Sequence, residues 1–192
     1  MRGTVKNENH GTGGRAAASM RLAPGLRNAL AGGDGSRVVT AKDAGLELGA
    51  AKKGDLPQLV ELLGVLFALE ADFAPDAAKQ KRALEAIFSD PRIGRIYVAR
   101  EAGRVVGMVS TLYTISTAEG GKAAWLEDMI VLPECRGRGI GAALLEHAVV
   151  GAREEGCLRL TLLSDEDNAQ AHGVYAAEGF QFSGMRPMRL KL

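Results

Sequence analysis

The chain has 192 residues, 46% hydrophobic, with 24 Lys+Arg against 23 Asp+Glu and a formal net charge of +1. That length suits one domain with a core, and the balanced charge excludes a protein that grips nucleic acid through positive potential alone. Two cysteines, Cys135 and Cys157, exclude a disulfide framework and a multi-cysteine zinc site, and the apolar stretch Val105–Ala118 is too short for a membrane span.

Residues 1–45 hold seven basic and three acidic side chains, a balance of +4, which leaves residues 46–192 at −3. This first stretch is rich in Gly and Ala and lacks an apolar period, so it reads as a disordered extension. A mis-assigned start or a transit peptide fits the same composition, whereas a secretory signal lacks its apolar region. Residues 46–192 form the expected domain, with a cytoplasmic location.

Leu46–Ala50 reads as a short strand. Asp55 then caps a helix with Pro57 in its first turn and an apolar stripe at Leu59, Leu62, Leu63, Leu66 and Phe67. Pro75-Asp76 opens a second helix to about Phe88, and Asp90-Pro91 stops it. Two strands, 93–100 and 104–116, join at Ala102-Gly103 as a hairpin, and 123–132 continues the sheet. A helix from Arg138 closes at Gly156, a short strand spans 158–163, and a helix from Asn168 closes at Gly179. Extended segments at 181–185 and 188–192 complete an α/β arrangement, a mixed sheet covered by helices.

The segment from Val131 to Ala142 carries the strongest chemical signal. A strand ends, and Gly137, Gly139 and Gly141 alternate with Arg138 and Ile140 as a helix begins. Glycines allow close backbone approach, a helix N-terminus offers free N–H groups, and Arg136 and Arg138 add charge, so the segment suits a pyrophosphate. Gly137-x-Gly139-x-x-Ala142 also satisfies the dinucleotide fingerprint. Only fifty residues follow Ala142, too few for a dinucleotide-binding sheet, and no GxxxxGK[ST] is present.

Arg136-x-x-Gly139-x-Gly141 matches the coenzyme A pyrophosphate signature. With Leu126-Glu127-Asp128 before it and Asn168, Ala171, Val174-Tyr175 and Gly179-Phe180 after it, the chain resembles the GNAT N-acetyltransferase superfamily over about residues 46–192. Leu-Glu-Asp is also similar to the diamine (spermidine/spermine) N-acetyltransferase branch. The resemblance implies a mostly antiparallel sheet with a splayed parallel strand pair at the acyl-CoA site, and transfer from acetyl-CoA to a primary amine without a metal. It assigns cofactor contacts to Met129, Ile130, Val131, Arg136, Gly137, Arg138, Gly139, Ile140, Gly141, Ala142 and Asn168.

Thioester aminolysis needs an acid for the leaving thiolate and a base for the amine. Tyr175 lies two helical turns after Asn168 and, by the resemblance, is the acid; core packing is the alternative for such a tyrosine. Asn168 serves as a helix cap, a pantetheine contact, or both. Glu127 alternates with Trp125, Met129 and Val131, so one carboxylate sits in an apolar stripe where burial raises its pKa toward that of a base. A structural carboxylate paired to an arginine is the alternative. Asp128 points the other way unless a bulge intervenes, and the resemblance implies one.

His147 and His172 have no partner suggesting a metal or triad. An acyl-cysteine route through Cys135, placed on an exposed loop flank, or Cys157 lacks motif support. For the acceptor, Phe67, Glu70, Asp72 and Phe73 form an acidic-aromatic cluster suited to a cationic amine, although a solvated helix end has the same composition. A small-molecule or peptide amine is therefore the expected partner, with neither nucleic acid nor membrane, and a homodimer stays open. A non-catalytic acyl-CoA-binding module and a dinucleotide oxidoreductase are the rival functions.

Overall fold

A computed structural model describes residues 45–70 and 72–192, so the extension expected over residues 1–45 lies, apart from Gly45, outside the described residues. Nine elements follow one another: β1 (Leu46–Ala50), α1 (Leu56–Phe67), α2 (Ala77–Ser89), β2 (Gly94–Glu101), β3 (Arg104–Ser116), β4 (Gly121–Val131), α3 (Ile140–Glu154), β5 (Leu160–Leu162) and α4 (Ala169–Ala177). The sheet runs in the order β1-β2-β3-β4-β5, antiparallel through β4 and parallel between β4 and β5.

Local chemistry accounts for most boundaries. Asp76 caps α2, its carboxylate accepting from the N–H groups of Ala78 and Lys79 at 3.1 and 3.0 Å. Ala102 and Gly103 both take positive φ, 48° and 81°, as the tight turn between β2 and β3 requires. Asp55 precedes α1 as expected but does not cap it. Its carboxylate instead accepts from Lys52 N–H and pairs with Arg100 on β2, tying the helix entrance to the sheet.

The sheet buries both faces. On one side α1 and α2 pack Leu59, Leu62, Leu63 and Leu84 against Ile96, Val98, Met108 and Ile130. On the other α3 packs Ile140, Leu144, Leu145 and Ala148 against Ala99, Val106, Val109 and Leu126. Each leucine buried this completely stabilises the fold by about 1.5–3 kcal/mol. Gly151 lets α3 come close to β2, since a Cβ there would lie 2.1 Å from the Tyr97 hydroxyl oxygen.

The C-terminal end of the chain departs from expectation. Residues 181–192 form no strand; Ser183 Oγ accepts from Met185 N–H in a local turn, and Pro187 lacks the donor a ladder needs. Phe182, Met185, Met188, Leu190 and Leu192 are left exposed. No helix among the described residues is long and apolar enough to cross a membrane.

Candidate active site

The sheet opens where β4 and β5 part. Their pairing covers Ala124↔Leu160, Trp125↔Thr161 and Leu126↔Leu162 and then ends. β4 runs on through Glu127 to Val131 with β3 on one side and, among the described residues, no strand on the other. Alternate backbone N–H and C=O groups along that edge are therefore available to a ligand. Arg136 uses the last of them, its Nε donating to the Val131 carbonyl at 2.9 Å.

A bulge sits at the point of divergence. Met108 pairs with Ile130 but Ser110 pairs with Glu127, so Val109 faces two residues, Asp128 and Met129. Asp128 has φ 54°, left-handed geometry that Asp tolerates better than most side chains. The inserted residue reverses the alternation. Leu126, Met129 and Val131 pack on the α3 side, whereas Ile130 packs on the α1–α2 side. Glu127, next to Leu126, consequently faces α1 and α2 rather than sharing a stripe with Met129 and Val131, and it is exposed along with Trp125. This corrects the expected buried apolar stripe.

Asp128 takes the sheltered position instead. Its carboxylate accepts from Ser110 Oγ at 3.0 Å, and burial raises its pKa against the lowering effect of that hydrogen bond. Glu127 is also raised, first by desolvation and then by the neighbouring Asp128 charge, while Arg189 opposes the shift. Ser110 is fully buried and holds the bulge carboxylate; its only sequence trace was a hydroxyl within an apolar run.

The pyrophosphate loop leads into α3. Gly137 and Gly139 adopt φ 73° and 77°, so the helix begins at Ile140 rather than Arg138. The first intrahelical bond at this end runs from Ala143 N–H to the Gly139 carbonyl, leaving the N–H groups of Ile140, Gly141 and Ala142 without an intrahelical partner, as a helix N-terminus that can accept an anion does. The two arginines part company. Arg136 folds back on β4, and Arg138 makes a bidentate pair with Glu101 at 2.6 and 3.1 Å, so the expected phosphate contact from Arg138 competes with an existing partner. Cys135 is buried in the α3-side core, not on an exposed flank as expected, and burial raises the Cys157 thiol pKa. Neither is presented as an acyl-accepting thiolate.

α4 carries the remaining predicted residues. Asn168 Oδ1 caps it by accepting from Ala171 N–H at 3.2 Å. Gly179, with φ 95°, ends it, and Phe180 N–H returns to the Tyr175 carbonyl at 3.1 Å, setting the Phe180 ring 6.0 Å from that of Tyr175. Tyr175 packs against the α3-side core, and burial raises its pKa, which keeps the phenol protonated.

On the opposite face, Phe67 at the end of α1 stacks on Phe73, with ring centroids 5.6 Å apart. Glu70 has a raised pKa, from desolvation first and then from the negative charges of Asp165 and Asp128, with a smaller contribution from Asp72. Acids from the loop after α1, from β4 and from the β5–α4 loop thus share one field. The site has two faces: a backbone-lined groove with Tyr175 on the α3 side, and a carboxylate-lined mouth on the α1–α2 side.

Comparison with known proteins agrees with this geometry. Residues 60–180 match the acetyltransferase (GNAT) family. The chain is 30% identical over 152 residues to glucosamine 6-phosphate N-acetyltransferase of Trypanosoma brucei brucei, an alignment covering 77% of this chain and 96% of that protein. An integron cassette protein from the mobile metagenome of Cole Harbour Salt Marsh superposes with a TM-score of 0.67 at 31% identity, over 76% of this chain and 90% of the other. An acetyltransferase of Clostridium acetobutylicum solved with acetyl-CoA shares the fold, with a TM-score of 0.63 at 18% identity over 76% and 96% of the two chains. On the strength of the family match, which spans both the diverging strands and α4, the chain belongs to the acetyltransferase (GNAT) family.

Proposed function

We propose that this N-acetyltransferase moves an acetyl group from the thioester of acetyl-CoA directly to a primary amine, with both substrates bound together. The observation that carries the reading is the bulge at Asp128, beside the end of the β4–β5 ladder. It turns Met129 and Val131 toward one substrate and Glu127 toward the other.

The residues divide the work by face. The α3 N-terminus, with Gly137, Gly139 and Arg136, takes the pyrophosphate, and Arg138 joins if it releases Glu101. The backbone edge from Met129 to Val131 bonds the pantetheine amide and polarises the thioester carbonyl. Asn168 lies beside this arm through the face of its amide not used in capping. Glu127 removes the proton of the incoming ammonium, directly or through water, and the amine nitrogen then forms the C–N bond. As the C–S bond breaks, the Tyr175 hydroxyl donates its proton to the departing sulfur. The raised pKa of Tyr175 suits a group that must stay protonated, and that of Glu127 suits a base working closer to neutrality.

The acceptor enters between the α1–α2 loop and β4. Glu70, Asp72 and Asp128 favour a cationic small molecule or peptide amine by Coulomb attraction and disfavour an anionic one. Release of free thiol from acetyl-CoA, followed with a panel of primary amines, tests the reading. Amine-dependent release is expected. Tight coenzyme A binding with no release for any amine would overturn it in favour of a binding module.

A further inference from the structure

Beside the acceptor mouth lies an open cavity of about 610 Å³ whose wall includes Phe67, Asp72, Phe73, Gln80, Lys191 and the ion pair of Lys79 with Asp76. Gln80, on α2, is only 6% exposed, and its side-chain Nε2 has no hydrogen-bond partner. Interiors rarely leave such a donor unpaired, and Gln80 is part of the wall of this cavity.

Two of its lining residues already hold a cation. The Arg189 guanidinium donates to the Asp72 carboxylate at 2.5 Å and sits 5.4 Å from the centroid of the Phe73 ring, which in turn lies 5.6 Å from that of Phe67. An acid beside an aromatic face is an arrangement that selects cations. Arg189 reaches it from a segment that packs poorly: the neighbouring Met188, Leu190 and Leu192 are 97%, 84% and 111% exposed. Charge, not burial, holds the segment in place. An ion pair as exposed as Arg189–Asp72 is weak, so a free cation can displace it.

We propose that Asp72, Phe73 and Gln80 form a subsite for a second cationic group on the acceptor, the place Arg189 fills in this structure. Gln80, in the same wall, donates from Nε2 to an oxygen elsewhere on the acceptor, so the ligand class is an amine bearing a second positive charge and a carbonyl or hydroxyl. This rests on the amine-acetylating reading above. The Arg189 charge also opposes the raised pKa of Glu127 and of Glu70, so a cation held by Asp72 and Phe73 is felt at both carboxylates.

The test compares argininamide with norleucinamide, which share the α-amine and the amide but differ in the second charge. With the full-length protein, kcat/KM is expected to favour argininamide by about tenfold or more, the equivalent of one well-placed charge contact. Asp72→Asn and Phe73→Leu should bring the ratio toward one, and Gln80→Leu should raise KM for argininamide. Arg189→Gln should lower KM for argininamide more than for norleucinamide. The ratio cancels any change at Glu127, since both amines react at the same carboxylate. Equal kcat/KM for the two amides, or an Asp72→Asn ratio unchanged from wild type, overturns the subsite while leaving the acetyltransferase intact. Failure of every amine to react overturns the reading beneath it as well.

Discussion

The two faces of the sheet present different kinds of groups to the proposed substrates. On the α3 side the site is mostly backbone: a strand edge without a neighbour, two left-handed glycines and the N–H groups of a 15-residue helix. On the α1–α2 side it is made of side chains at the end of a helix, in a loop and on the last residues of the chain. Backbone groups are held by the packing of α3 into the core, so this face is rigid and indifferent to many substitutions. The proposed acceptor face is built from single charges and rings, so single substitutions there are expected to redirect it.

The sharpest way to break this contrast is at Tyr175, the side chain on which the backbone-built face depends for chemistry. Tyr175→Phe should lower kcat by about 10²–10⁴, the usual contribution of a positioned acid, with acetyl-CoA affinity unchanged by calorimetry. Unaltered turnover would return Tyr175 to a packing role. The pyrophosphate loop comes next. Gly139→Val forces a β-branched residue to φ 77°, and the strain, about 1–2 kcal/mol, should weaken acetyl-CoA binding by roughly ten-fold or more. Arg136→Ala should cost about as much through a lost charge-assisted bond, whereas Arg138→Ala should cost less because Glu101 already holds that guanidinium.

The acceptor face is probed by pH. Glu127 must be ionised to act as base, and its pKa is raised, so kcat/KM should climb with pH through a value above that of an ordinary glutamate. Glu127→Gln should remove that limb. Arg189→Gln should move it further up, because Arg189 is the charge that opposes the shift. The smallest effect concerns stability at the bulge. Asp128 has a raised pKa in the folded state, so folding is most favoured while it is protonated and loses stability as pH rises through the folded value. Asp128→Asn, which keeps a residue tolerant of positive φ, should raise the Tm modestly at neutral pH and leave it nearly unchanged at low pH. A lowered Tm at neutral pH would mean that the charged form is stabilised by the Ser110 bond more than burial disfavours it.

Much of the fold could be read locally. The hairpin at Ala102-Gly103, the Asp76 and Asn168 caps, and the terminating Gly156 and Gly179 all lie within a few residues of the bonds they make. The glycine turn into α3 was legible for the same reason, since glycine spacing and a following helix are local properties. What stayed hidden depends on distant partners. Arg138 meets Glu101 across 37 residues, Arg189 meets Asp72 across 117, and Cys135 is buried only because α3 folds over it. The expected final strands do not form, since an apolar alternation cannot reveal whether a partner edge will be presented.

From sequence alone came the order of the main helices and strands, the glycine-rich start of α3 and the candidates proposed as acid and base. These follow from steric and hydrogen-bonding preferences that each short segment carries with it. Only the tertiary structure decided which side of β4 each group serves. One inserted residue, Asp128, reverses a two-residue alternation, and where it is absorbed is set by the register of β3 against β4. That single reversal puts Glu127 on the acceptor face and leaves Met129 and Val131 facing α3.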